Sequence, residues 1–111
     1  MADDMEGWLI DVGDEILRRK ASVGVEGLKP VEAAVYALWV VDYSVRNSGT
    51  LIPMTELYPV ALQQLGKFAT LNDLPALRLL ALGGVDDESF CNKYYQWFEA
   101  ASRELKRMHV S

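Results

Sequence analysis

The chain has 111 residues, half of them hydrophobic, and a formal net charge of −5 at pH 7. That length is one ordinary domain, able to bury roughly two thirds of its unfolded surface without a disulfide or metal, and the apolar content excludes a disordered chain. A single cysteine and a single histidine exclude an internal disulfide and a His-rich metal site, and no basic stripe suited to direct nucleic-acid binding is present.

The opening "MADDMEGWLI" is acidic where a secretory leader is basic. Residues 1–17 carry Asp3, Asp4, Glu6, Asp11, Asp14 and Glu15 and no base, and "RRK" follows at 18–20. Met5, Trp8, Leu9, Val12, Ile16 and Leu17 recur at helical spacing, so a helix is expected over 4–21. Its acids sit at the positive end of the helix dipole and its bases at the negative end. Asp14–Arg18 and Glu15–Arg19 are expected as i,i+4 ion pairs. "VGVEGLK" then breaks the helix.

A second helix is expected from Pro30, a residue suited to the first helical position, to about Arg46. Val31, Ala34, Val35, Leu38, Val41 and Val45 form an aliphatic face. Ala33, Ala37, Val40 and Ser44 form a small-residue face, and Tyr36, Trp39 and Tyr43 an aromatic one. A helix this apolar belongs at the centre of a bundle. Its longest uncharged stretch, 33–41, falls short of the roughly 18 residues that cross a membrane. These features point to a cytoplasmic protein.

"NSG" ends that helix, with Asn47 or Gly49 as the left-handed cap. Pro53 is expected to keep the chain from resuming helix at once. A short turn of helix is expected around 55–58, and a better helix from Pro59 to about Phe68, with Ala61, Leu62, Leu65, Phe68 and Ala69 on one face. Next comes a short helix capped by Asn72 or Asp73, with Pro75 in its first turn and Gly83-Gly84 as its stop. The last helix, 86–108, is capped by Asp86 or Asp87. Phe90, Tyr94, Trp97, Phe98, Ala101, Leu105 and Met108 form its stripe, with a Glu99–Arg103 pair outside. The expected architecture is a single all-α domain, 1–111, built as a bundle of about five helices, three long and two short.

Chemistry is sparse. Cys91 and His109 stand 18 residues apart, about 27 Å along one helix at 1.5 Å per residue, too far for a catalytic dyad. Cys91 reads as a small buried or half-buried residue and His109 as a solvated tail residue. The acids of the first helix read as a solvated face, and Asp86–Glu88 as cap and dipole charges. Phosphate loops, zinc spacings and dinucleotide fingerprints are absent. No catalytic residue, metal ligand or cofactor is assigned.

Asp42 stands out, because it falls beside Leu38, Val41 and Val45. A buried carboxylate costs several kcal/mol unless it is paired. Arg46 at i+4 is the expected partner, with backbone N–H groups of 47–53 as further donors. Asp42, Arg46, Asn47 and Gly49 thus read as a structural loop device.

The stretch "DYSVRNSG" resembles the signature that follows the first long apolar helix in the bacterial DNA-mimic protein family. Asp42, Val45, Asn47 and Gly49 match that signature. "ALQQLGKFATLNDLPAL" resembles the helix after it, with Leu65-Gly66 at the family's aliphatic-glycine position. The likeness covers residues 30–80. Ser44, Ser48 and Thr50 depart from the pattern, and Pro53 has no counterpart in it. The resemblance implies an α-helical, non-enzymatic protein that occupies a DNA-binding protein with acidic side chains.

The first expectation is an acidic protein-binding module that engages and inhibits a basic partner protein. Its contact residues would be Asp3, Asp4, Glu6, Asp11, Asp14 and Glu15. An immunity or antitoxin-like protein is the alternative, and a helical enzyme or small-ligand binder near Asp42 and Arg46 a further one. The Tyr36/Trp39/Tyr43 face serves as core, as a homodimer contact or as a binding surface, and the sequence leaves these three open.

Overall fold

The central helix Pro30–Ser48 (α2) is apolar on nearly every side, so its neighbours have to surround it. The computed structural model of the chain describes residues 5–82 and 87–110. Around α2 pack Met5–Val23 (α1), Ile52–Leu57 (α3), Ala61–Asn72 (α4) and Asp87–Val110 (α6). Pro75–Ala81 (α5) lies against α4 and α6, and a 3₁₀ turn, Val25–Gly27, joins α1 to α2. The described residues hold six α-helices and no strand, one more helix than expected, because the short turn of helix in the interrupted third segment is a separate helix, Ile52–Leu57. None of these helices is long and apolar enough to cross a membrane.

One contiguous core joins the expected stripes. Leu9 and Ile16 of α1, Val35, Leu38 and Val41 of α2, Leu65 of α4, Leu77 and Leu80 of α5 and Phe90, Tyr94 and Leu105 of α6 are all buried. Each such aliphatic or aromatic side chain stabilises the fold by roughly 1.5–3 kcal/mol on full burial. Ser44, on the small-residue face of α2, is fully buried and donates back to the Val40 carbonyl at 2.9 Å.

Helices α1 and α2 approach closely at Gly13. A Cβ there would overlap Cδ1 of Trp39, far inside contact distance. Gly13→Ala is therefore expected to destabilise the protein by about 1–2 kcal/mol. Overpacking costs about 1–3 kcal/mol, and the better helix propensity of alanine returns up to about 1. Urea denaturation measures it, and a gain in stability would show that Trp39 swings aside without cost.

The end of α2 and the two helices after it differ from expectation in three places. Helix α2 runs on to Ser48, and Gly49 (φ 66°, ψ 13°) supplies the left-handed cap, its N–H donating to Val45 O at 3.0 Å. Asn47 stays helical and donates from Nδ2 to Tyr43 O. Pro53 does not hold helix back. It occupies the second position of α3, where a missing N–H costs nothing. Pro59 does not begin α4. It forces Tyr58 out of helical geometry (φ −161°, ψ 82°), so α4 starts at Ala61 and runs to Asn72, beyond Phe68.

The expected cap of α5 also changes. Asp73 takes the left-handed conformation (φ 57°) that closes α4, and Leu74 stands at the N-cap of α5 with no capping side chain. Glu104 of α6 replaces it. This buried carboxylate accepts the N–H groups of Ala76 at 3.1 Å and Leu77 at 2.8 Å. The Gly83-Gly84 stop and the side-chain cap at Asp86 or Asp87 lie outside what the structure describes.

Of the expected ion pairs, Asp14–Arg18 forms at 2.7 Å and Glu99–Arg103 forms as well. Glu15–Arg19 does not. Arg19 Nε donates instead to Glu32 Oε1 at 3.1 Å. Glu32 is the better acceptor because the Lys29 N–H (2.8 Å) already fixes it at the start of α2, where it is more sheltered from solvent.

Candidate functional site

Asp42 projects from α2 into the junction of α1, α2 and α6. It is 6% exposed, and its Oδ1 accepts two hydrogen bonds of 2.7 Å, from Arg46 Nε and from the hydroxyl of Tyr94. The expected Arg46 pair is therefore present. The second donor is Tyr94, not the backbone of 47–53. Arg46 reaches on to Glu6 of α1, with 3.5 Å between Nη1 and Oε2. Its guanidinium lies 4.9 Å from the ring centroid of Tyr95 and 4.7 Å from that of Phe98. One arginine thus ties three helices, by ion pairs on α1 and α2 and by ring contacts on α6.

Burial is the main influence on Asp42 and pushes its carboxyl above the usual aspartate value. The Tyr94 hydrogen bond and Arg46 pull the other way, and Glu6 adds a further push upward. Tyr94, fully buried, is held well above the ordinary tyrosine value, first by burial and then by the Asp42 charge. Burial works against the charge of Arg46, but Asp42 and Glu6 outweigh it and hold the guanidinium protonated. A general base needs a free lone pair aimed at substrate, whereas the bonded oxygen of Asp42 faces Arg46 and Tyr94. The geometry suits a lock between helices.

The acidic residues of α1 divide. Asp3 and Asp4 lie outside the described residues. Asp11, Asp14 and Glu15 are exposed and share one face of α1. Asp14 is held by Arg18, while Asp11 and Glu15 make no ion pair among the described residues. Glu6 turns to another flank and meets Arg46. Asn47 and Gly49 are the exposed cap beyond the lock.

Beyond Glu15, the end of α1 borders a cavity of about 510 Å³ lined by Arg18, Arg19, Ser22, Glu32 and His109. His109 is half-buried there within α6 and not a solvated tail residue. Cys91 is half-buried as expected, and the unbroken α6 separates it from His109. No three His, Cys, Asp or Glu side chains among the described residues are placed to hold a metal ion. The aromatic face also divides. Tyr36 is core and packs on Tyr58 at 5.1 Å, while Trp39 stacks on a half-exposed Tyr43 at 5.6 Å.

No protein-family model, curated protein or solved structure matches this chain. The likeness to the DNA-mimic family stands on the residues quoted for it alone.

Two residues of consequence escaped the sequence reading. Tyr94 was legible as core but not as the partner of Asp42. Glu104 carried a signal that went unread, a carboxylate set among Ala101, Leu105 and Met108 along the α6 stripe. Ser102 beside it has a buried hydroxyl with no hydrogen-bond partner among the described residues.

Proposed function

We propose that this protein is a non-enzymatic binding module whose α1 face engages a basic surface on a partner protein. The observation that carries the reading is the exposed strip of Asp11, Asp14 and Glu15, with two of its three carboxylates unpaired among the described residues. Free carboxylates on a rigid helix steer a basic partner and cost little to desolvate at an interface rim. The interior polar groups support the non-enzymatic part, since Asp42, Tyr94 and Glu104 are each engaged in bonds that join helices. Full DNA mimicry needs a denser array. With Glu6 held by Arg46 and Asp14 by Arg18, α1 offers a short acidic strip.

The test is affinity capture from native lysate at about 50 mM and 500 mM salt, a range over which the screening length falls from about 14 to 4 Å. Wild type and the triple variant Asp11→Asn, Asp14→Asn, Glu15→Gln are compared. A partner held at low salt is expected to be lost at high salt and by the variant. All three residues are exposed, so the fold should be unchanged. Capture that ignores both salt and the variant contradicts the proposal.

A further inference from the structure

Helix α5 buries Leu77 and Leu80 in the core, yet Leu79 is 55% exposed and Leu82, just past its end, is 69% exposed. A helix needs one apolar face to join a bundle, and α5 has two. Helix α4 matches it, with Leu65 and Phe68 inside and Leu71 75% exposed. Two hollows of about 430 Å³ each lie along this surface, and they share Thr70, Arg78 and Leu82 as lining. They form one trough, apolar along Leu62, Leu71, Leu79 and Leu82. Leu62 is half-buried, and the exposed Leu71, Leu79 and Leu82 grouped along one trough mark an interaction surface more than scattered leucines do.

The charges on the trough select its occupant. Among the described residues Lys67 and Arg78 line it against one acid, Asp73, which makes this lining net positive on a chain of net charge −5. The Lys67 and Arg78 side chains make no ion pair among the described residues. A second copy placed symmetrically on the same face would bring like-charged rims together, which disfavours self-pairing. We propose that the α4–α5 trough docks an amphipathic helix of a partner protein whose apolar stripe is flanked by Asp or Glu. The twelve residues of α4 give a floor of about 18 Å, three turns of an incoming helix. This site is separate from the α1 strip and does not depend on its role.

The test uses two synthetic 18-residue helical peptides with the same leucine stripe, one flanked by Glu and one by Lys, titrated by fluorescence anisotropy. The Glu peptide is expected to bind about tenfold more tightly, and the double variant Lys67→Glu, Arg78→Glu to reverse that preference. Leu71→Asp with Leu79→Asp should weaken the Glu peptide by at least about tenfold, while circular dichroism stays unchanged because both side chains are exposed. The triple variant of α1 should bind the peptide as wild type does, so failure there and failure here are distinguishable. Equal binding of the two peptides, no binding of either, or indifference to charge reversal overturns the proposal. So does a concentration-dependent dimer by sedimentation that the leucine variants abolish, since the occupant would then be a second copy.

Discussion

Asp42→Ala is expected to lower stability by about 2–4 kcal/mol, about 1–3 for the buried Tyr94 hydroxyl left unsatisfied and up to about 1 for the part-buried pair with Arg46. The loss falls on two donors at once, since Arg46 Nε and the Tyr94 hydroxyl both point at the same oxygen. Glu6 softens the loss for Arg46 but cannot reach Tyr94, which is fully buried. Urea denaturation measures it, and a change under about 1 kcal/mol would show that the cluster does not hold the helices together.

The pH dependence separates the charge from the hydrogen bonds. The folded carboxyl lies above its ordinary value of 3.8, mainly because it is buried. Between 3.8 and the raised value the folded state binds more protons than the unfolded one. The Asp42 contribution is therefore most favourable at the acidic end and declines as pH rises through that window. Asp42→Asn cannot titrate. Its cost, read as the difference in urea midpoint, should accordingly be larger near pH 4 than at pH 7. A cost that grows with pH would mean that Arg46 outweighs burial.

Glu104→Ala is the second large effect, expected at about 2–4 kcal/mol. It strips acceptors from two backbone N–H groups in the first turn of α5, at about 1–3 kcal/mol for each unsatisfied donor that is buried. Glu104→Gln keeps one acceptor oxygen and should recover part of the loss. Hydrogen exchange gives the sharper readout. The Ala76 and Leu77 amides should lose protection in Glu104→Ala before those of α2 do. Uniform loss across the chain would place Glu104 in the global fold instead of at the α5 start.

Both effects show where sequence reading reaches and where it stops. The Asp42–Arg46 pair was legible because helical geometry fixes which residues meet at i,i+4. Tyr94 lies 52 positions away, and Glu104 lies 27 or 28 from the amides it holds. Their meetings depend on how α6 lies across the bundle, which no local pattern encodes. The long apolar stripes of α1, α2 and α6 were legible for the opposite reason, since each repeats over several turns.

The 49–75 region misled on finer grounds. Proline breaks a helix interior yet suits its first turn, and Pro53 took the second role where the first was expected. Pro59 acted on the residue before it, shifting the start of α4. Asp73 can cap a helix start or close a helix end, and the chain path decided for the end. The surface was legible only as charge. The acids of α1 and the Asp14–Arg18 pair could be read off, but the Glu6–Arg46 pair between α1 and α2 could not. The exposed Leu71, Leu79 and Leu82 were assigned to no face, because the faces of a short apolar helix are not distinguishable by periodicity.

Buried polar groups are expected to hold this fold and surface residues to bind the partner. Partner capture per folded molecule, measured for Asp42→Asn beside the α1 triple variant, tests this division most directly. A crossed result is expected. Asp42→Asn loses stability but captures the partner at the wild-type level once corrected for the folded fraction, and the triple variant keeps its stability and loses the partner. An Asp42→Asn protein that is fully folded yet captures nothing would make the Asp42–Arg46–Tyr94 cluster the site of action.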